Sequence, residues 1–286
     1  QAEIFGQELE RPFILVKAKE RAEILQKIDK QNWAKDIFLN LKVTTDIQVT
    51  KFYKNPKEYI KQLPFNWSES NKNSFPPFYK TDHIEKGIHR NLDNATAEEW
   101  RPAELLIKYL QTALDCGMMY YLTEDEKYAY VASSLLYSFT KSVQQSTISD
   151  WKGRGGLLFP YDGFREVRVI GYKLPLIYDF IHPYLKKEGK SFDIINSKKV
   201  VFPIAEVQNV FKTYANITVN YGQTGSNHCA LEAPSLVYNA LAIDDKKDRE
   251  KWLSYFLTES TDNGNNISTQ KNNRKIFLQL DQRQIV

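Results

Sequence analysis

The second half of the chain is patterned by apolar residues that recur at intervals of three and four. Ala103, Leu106, Ile107, Leu110 and Leu114 form one stripe, with Gly117 placed to end it. Tyr128, Val131, Ala132, Leu135, Leu136, Phe139 and Val143 form the next. Such spacing sets the residues on one face of a 3.6-residue helix. Between the two stripes, Thr123-Glu124-Asp125-Glu126 reads as a helix start with acids in its first turn. Two long helices joined by so short a turn are antiparallel neighbours. Phe164, Val167, Ile170, Leu174, Ile177, Tyr178 and Ile181 give a third stripe, in which Pro175 predicts a kink or a break. Val207, Val210, Phe211 and Tyr214 give a fourth, Leu231 to Leu241 a fifth, and Trp252, Tyr255 and Phe256 lie on a sixth. No motif recurs at a fixed period. The expected class is therefore all-α, with serial antiparallel helix pairs as in an α-solenoid or an (α/α) toroid.

The first hundred residues follow a different pattern. Arg11-Pro12-Phe13-Ile14-Leu15-Val16 is a short, strand-like apolar run that passes into helical spacing through Ala22, Ile24, Leu25 and Ile28. Helical spacing continues from Trp33 to Phe52, although Val43-Thr44-Thr45 argues against it locally. Residues 54–99 hold Pro56, Pro64, Pro76 and Pro77 amid Asn- and Ser-rich stretches, which reads as a long irregular excursion. The expected organisation is a lead-in over 1–99 packed on a helix-pair core over 100–258, then a polar tail over 259–286. No pattern of regular short strands occurs.

Composition narrows the function classes. With 42% hydrophobic and 26% charged residues the chain is ordinary for a globular protein, and it lacks an apolar run that could span a bilayer. There is no P-loop, no dinucleotide-binding glycine fingerprint and no Cys/His zinc spacing, so no cofactor and no metal are expected. Cys116 and Cys229 do not make a disulfide framework and read as buried small hydrophobes, with a single disulfide as the lesser alternative. The chain begins at Gln1 rather than Met, which fits an exported protein after leader removal, periplasmic or secreted; an engineered start would look the same.

Charge is placed unevenly. Residues 151–190 carry eight basic side chains (among them Arg154, Arg165 and Arg168) against four acidic ones, a local excess equal to the +4 of the whole chain. A basic field draws anions, and a 13% aromatic content suits the apolar faces of sugar rings. On charge alone nucleic acid, anionic lipid and acidic glycan all stay open. A solvated helical face and an aromatic-rich core are the bland alternatives.

The most informative segment is Tyr221-Gly222-Gln223-Thr224-Gly225-Ser226-Asn227-His228-Cys229-Ala230-Leu231-Glu232. A glycine-containing loop delivers Asn-His to the start of an apolar helix. There, backbone N–H groups, the Asn227 amide and the His228 ring together form a donor set for a carboxylate. On spacing alone, Asn227 or Ser226 could equally be a helix cap.

Asn227-His228, leading into Glu232-Ala233-x-x-Leu236-x-Tyr238-x-Ala240-Leu241, resembles the Asn-His segment of heparinase II/III-type and alginate-lyase-type polysaccharide lyases. Arg11-Pro12-Phe13-Ile14-Leu15, with Arg21 and Leu25 in the helix that follows, is similar to the start of their N-terminal domains. Tyr161-Asp162-Gly163-Phe164-Arg165 to Tyr178-Asp179-Phe180 suits their paired helices. The resemblance implies an incomplete (α/α) toroid whose cleft binds a uronate polymer such as heparin, heparan sulfate or alginate. The expected partner, an acidic polysaccharide and no nucleic acid, rests on this resemblance carried by the Asn227-His228 segment. It implies β-elimination, with Asn227 and His228 in the catalytic role at the substrate carboxylate. Arg154, Tyr161, Arg165, Arg168, Tyr221 and Glu232 are the expected substrate contacts.

Two features depart from the family pattern. The family's catalytic Tyr lies beyond the Asn-His helix pair, and no Tyr follows Tyr255 here; a large β-rich domain is also absent from the sequence. A fragment, a shortened reading frame and a binding-only relative each account for that. The alternatives kept open are a non-catalytic glycan-binding helical protein and a glycoside hydrolase, for which Asp162 and Glu232 are conceivable carboxylates.

Overall fold

The computed structural model describes residues 10–65, 97–146, 148, 156–159, 163–187, 189–221 and 228–258. These residues are mostly helical, in agreement with the sequence pattern. They fall into two compact units. Among the described residues, one falls within 10–146 and 176–207, the other within 148–175 and 208–258.

The larger unit begins with an irregular segment and helices α1 (Arg21–Lys30), α2 (Asn32–Lys54) and α3 (Pro56–Ile60). The apolar run at Arg11 is not a strand. It is pinned by Asp179, whose Oδ1 accepts from Arg11 Nη1 at 2.9 Å while its Oδ2 accepts from the N–H groups of Phe13 (2.9 Å) and Ile14 (2.8 Å). Backbone donors that a strand would pair with a neighbour are satisfied here by one buried carboxylate. The Val43-Thr44-Thr45 run is helical after all, because the hydroxyls of Thr44 and Thr45 fold back onto the carbonyl of Leu41.

Helix α4 (Ala97–Thr123) runs through Gly117, the residue expected to end it. Glycine is used there for close approach: a Cβ at Gly117 would meet Phe180 Cβ at 3.1 Å. The turn to α5 (Glu126–Gln145) is made at Glu124, with φ 58°, and Asp125 caps the new helix by accepting from Lys127 N at 3.0 Å. Helix α5 is buried on nearly every side, from Tyr128 through Val143. Its hydroxyls serve two purposes. Ser138 bonds back to Ser134 O, while Ser133 donates to Lys190 O at 2.7 Å and Ser134 accepts from Phe192 N at 2.9 Å.

Lys190 and Phe192 belong to β1 (Lys190–Asp193), which pairs antiparallel with β2 (Lys198–Val201). The sequence pattern gave no sign of this hairpin. The inward positions of β1 are Ser191 and Asp193, so its buried face is polar, and the strand is anchored to α5 through the Lys190 carbonyl and the Phe192 N–H.

The smaller unit contains α6 (Gly163–Glu166), a π-turn over Val167–Gly171, the start of α7 (Lys173–Lys186), α8 (Ile204–Tyr221) from Gln208 onward, α9 (His228–Ala242) and α10 (Lys246–Thr258). The break expected at Pro175 falls just before it, at Tyr172. Pro175 then occupies the first turn of α7, where its missing N–H is not needed. Ala215, Leu236 and Tyr255, with Val219, Trp252 and Phe256 packed against them, bring α8, α9 and α10 onto a common core.

Candidate functional site

The described residues among those singled out for glycan chemistry, Arg165, Arg168, Tyr221, His228 and Glu232, belong to the smaller unit. Its described part is organised by one buried carboxylate. Gly156 takes φ 102°, open to glycine at little cost, and the chain then presents three consecutive N–H groups to Glu166. Leu157 N donates to Oε2 at 2.5 Å, Leu158 N to both oxygens at 3.1 Å, and Phe159 N to Oε2 at 3.1 Å. The fourth donor is the phenol of Tyr214, 2.7 Å from Oε1. Glu166 is fully buried, and burial pushes its carboxyl up from the ordinary range, against the four donors that draw it down. Tyr214 is raised well above a free phenol by its own burial and by the carboxylate beside it.

The π-turn carries a second polar lock. A Cβ on Gly171 would collide with Ser235 Oγ and lie 3.1 Å from Tyr214 Cδ1, so glycine sets how closely the turn approaches α8 and α9. Asn239 Nδ2 donates to the Gly171 carbonyl at 2.8 Å and to Ser235 O at 2.7 Å; Thr218 reaches Ser235 Oγ at 3.2 Å. π-turns leave backbone groups outside the regular ladder and are frequent at functional sites. Arg168, half-buried, sits on this one.

The predicted site residues divide into three groups. Arg168, Tyr221 and Glu232 are described: Tyr221 is half-buried and ends α8, whereas Glu232 is fully buried one turn into α9. Arg165 and His228 are described in their backbone only, within α6 and at the first position of α9. Arg154, Tyr161 and Asn227 lie outside the described residues. Sequence reasoning missed Glu166 and Tyr214. Glu166 was findable, since it stands three residues after Gly163 and four before Ile170, both buried, where a carboxylate must find donors. Among the described residues no cluster of His, Cys, Asp and Glu could hold a metal ion, and no helix is long and apolar enough to cross a membrane.

At the level of class, the chain is similar to a polysaccharide lyase. That relative is an endo-acting ulvan lyase of Formosa agariphila, 24% identical over 271 residues, an alignment that takes in 92% of this chain. The chain spans 30% of that enzyme's length. No family model matches the chain, and no solved structure matches it.

Proposed function

We propose that the chain is the helical, glycan-gripping part of a polysaccharide lyase acting on uronate-containing polymers by β-elimination. The observation that carries this reading is the similarity to an endo-acting ulvan lyase along almost the whole chain. The helical architecture and the Asn227-His228 helix start support it, as does the firmly held Gly156–Phe159 segment between Arg154 and Tyr161. In this reading the lead-in over 1–99 packs on helix pairs over 100–258 that form an incomplete (α/α) toroid of the heparinase II/III type.

In β-elimination a base removes the proton α to the uronate carboxylate, and the electron pair forms a double bond as the C4–oxygen bond breaks. The leaving oxygen takes up a proton. The α proton is weakly acidic while the carboxylate stays charged, so donors that hold the developing enolate lower the barrier, as an oxyanion hole does. Asn227 and His228 serve there. Arg154, Arg165 and Arg168 draw the polymer, and Tyr161, Tyr221 and Glu232 shape the cleft around it.

Ulvan, named for the relative, is the first substrate to test, beside heparin, heparan sulfate and alginate. The expected product is an unsaturated uronate that absorbs in the ultraviolet. Saturated reducing ends would mean hydrolysis instead. Retention of polymer with no product would leave a binding protein, and neither retention nor product on any uronate polymer would overturn the reading.

A further inference from the structure

Helix α2 is apolar on two separate faces, and among the described residues one of them is buried while the other is exposed. Ala34, Thr45, Val49 and Phe52 are buried. Trp33 (61% exposed), Ile37 (61%), Val43 (59%) and Ile47 (48%) stand in water. A surface helix normally shows a single apolar stripe toward its core, so a second one marks a face built for another body.

The pattern of that second face says which body. Trp33, Ile37, Asn40, Thr44, Ile47 and Lys51 are spaced four, three, four, three and four apart, the seam of a coiled coil, and all six are exposed. The seam is self-complementary when two copies run antiparallel about the level of Lys42. Ile37 then faces Ile47 of the other copy, giving two apolar layers. Asn40 faces Thr44, so the two polar seam positions meet each other rather than an apolar side chain. Trp33 faces Lys51, a cation over an indole at either end. Val43, beside the seam, meets its own symmetry mate next to the axis. A parallel in-register pairing would also match Asn40 with Asn40 and Thr44 with Thr44, but it would set Lys51 against Lys51, like charges at one end of the seam. An unrelated apolar groove would leave Asn40 and Thr44 against apolar surface.

We infer that this face of α2 is an isologous interface and that its partner is a second copy of the chain, packed antiparallel along α2. Polar residues at a seam cost stability but fix register, so the arrangement commits to one alignment. At 23 residues α2 is about 34 Å long. A single helix pair of that length lies at the small end of specific interfaces, so dimerisation is concentration-dependent rather than permanent.

The test is sedimentation equilibrium of the full chain over a range of concentrations, with and without Ile37→Glu and Ile47→Glu together. A dimer is expected for the parent chain, and the double variant should raise its dissociation constant by at least about ten-fold. These side chains are exposed, so far-ultraviolet dichroism of the variant should match the parent. An equimolar mixture of Asn40→Cys and Thr44→Cys chains, oxidised gently, should cross-link far faster than either variant alone. A chain that stays monomeric at its highest soluble concentration overturns the proposal. So does a dimer unaffected by the glutamates, or cross-linking no faster in the mixture. A monomer whose Trp33 fluorescence is already shielded from iodide would show that this chain covers its own seam, and overturns it too.

Discussion

Tyr214 and Glu166 stand 48 residues apart in sequence, yet the phenol of one donates to the carboxylate of the other at 2.7 Å with both side chains fully buried. Glu166 turns three backbone N–H groups inward on its other side, so one carboxylate ties the Gly156–Phe159 segment to α6 and α8. Once ionised, the Glu166 carboxylate only accepts, and the four donors around it leave no place for an amide NH2. We expect Glu166→Gln to lose about 1–3 kcal/mol of stability, because its NH2 group faces donors and strands at least one buried N–H. Tyr214→Phe removes one donor of four and should cost less. Urea unfolding of both variants checks the order; a larger loss for Tyr214→Phe would contradict this account of the cradle.

The same pair sets a pH dependence. Burial raises the Glu166 carboxyl above its value in the unfolded chain, so between the two values the folded protein holds a proton that the unfolded chain has released. This group's contribution to stability is complete below the unfolded value, near the carboxylate reference of 4.5, and is lost as pH rises through the folded value. The stability difference between parent and Glu166→Gln should therefore shrink as pH is raised from below 4.5 toward neutrality. Paired denaturation curves across that range measure it, and a gap that widens with pH would reverse the sign.

Arg11 and Asp179, each 3% exposed in its side chain, make the tie that holds the N-terminal segment. Arg11→Ala leaves the Asp179 carboxylate buried with only the N–H groups of Phe13 and Ile14. The expected cost is about 3–5 kcal/mol, as for a buried pair broken from one side. Replacing both as Arg11→Met with Asp179→Asn should be milder than Arg11→Ala alone, since it removes the charge together with its partner. Thermal and urea unfolding of the three chains decide this.

Much of the helical scaffold could be read from the sequence, because apolar spacing over α4 and α5 is regular enough to specify buried faces without tertiary information. The errors share a physical origin. Gly117 resembles a helix stop until Phe180, 63 residues on, is seen to need the space. The β1 strand escaped notice because Ser191 and Asp193 face inward, and hydrogen bonding to Ser133 and Ser134 leaves no apolar alternation. Glu166 was legible as a carboxylate on a core stripe, but its donors come from Leu157–Phe159 and Tyr214, and no local pattern joins those segments. Asn227 and His228 stand out by resemblance and loop chemistry alone. The structure contributes the helix that His228 opens and the buried Glu232 one turn along it.

Gly171→Ala should be destabilising although the residue lies within a helical turn. The added methyl collides with Ser235 Oγ and presses on Tyr214, the residue that completes the Glu166 cradle. Overpacking of this kind costs about 1–3 kcal/mol. Ser235→Ala in the same chain should recover part of the loss by removing the obstructing oxygen, although it also gives up the contacts from Thr218 and Asn239. Non-additivity between the two substitutions is the signature sought. Strict additivity would mean that Gly171 is needed for the π-turn backbone rather than for the space beside Ser235.

The proposed glycan chemistry makes its sharpest demand on Asn227, His228 and Arg168. If Asn227 and His228 hold the substrate carboxylate, Asn227→Ala and His228→Ala should reduce uronate polymer binding or elimination while leaving the unfolding midpoint nearly unchanged. Removing one donor to a developing oxyanion costs about 10²–10³-fold in rate where turnover is measurable. If Asn227 is only the cap of α9, its loss should instead cost about 1 kcal/mol of stability and leave binding intact. Arg168 separates a specific site from a general basic field. Arg168→Glu should weaken binding more than Lys246→Glu, because Arg168 belongs to the basic segment over 151–190, whereas Lys246 lies outside it on an exposed helix surface. The binding that remains should fall with added salt, since the attraction between exposed charges is screened over about 8–10 Å at ordinary ionic strength. Equal losses at Arg168 and Lys246, together with stability lost at Asn227, would place the glycan elsewhere on the molecule and return the Asn-His segment to a purely structural role.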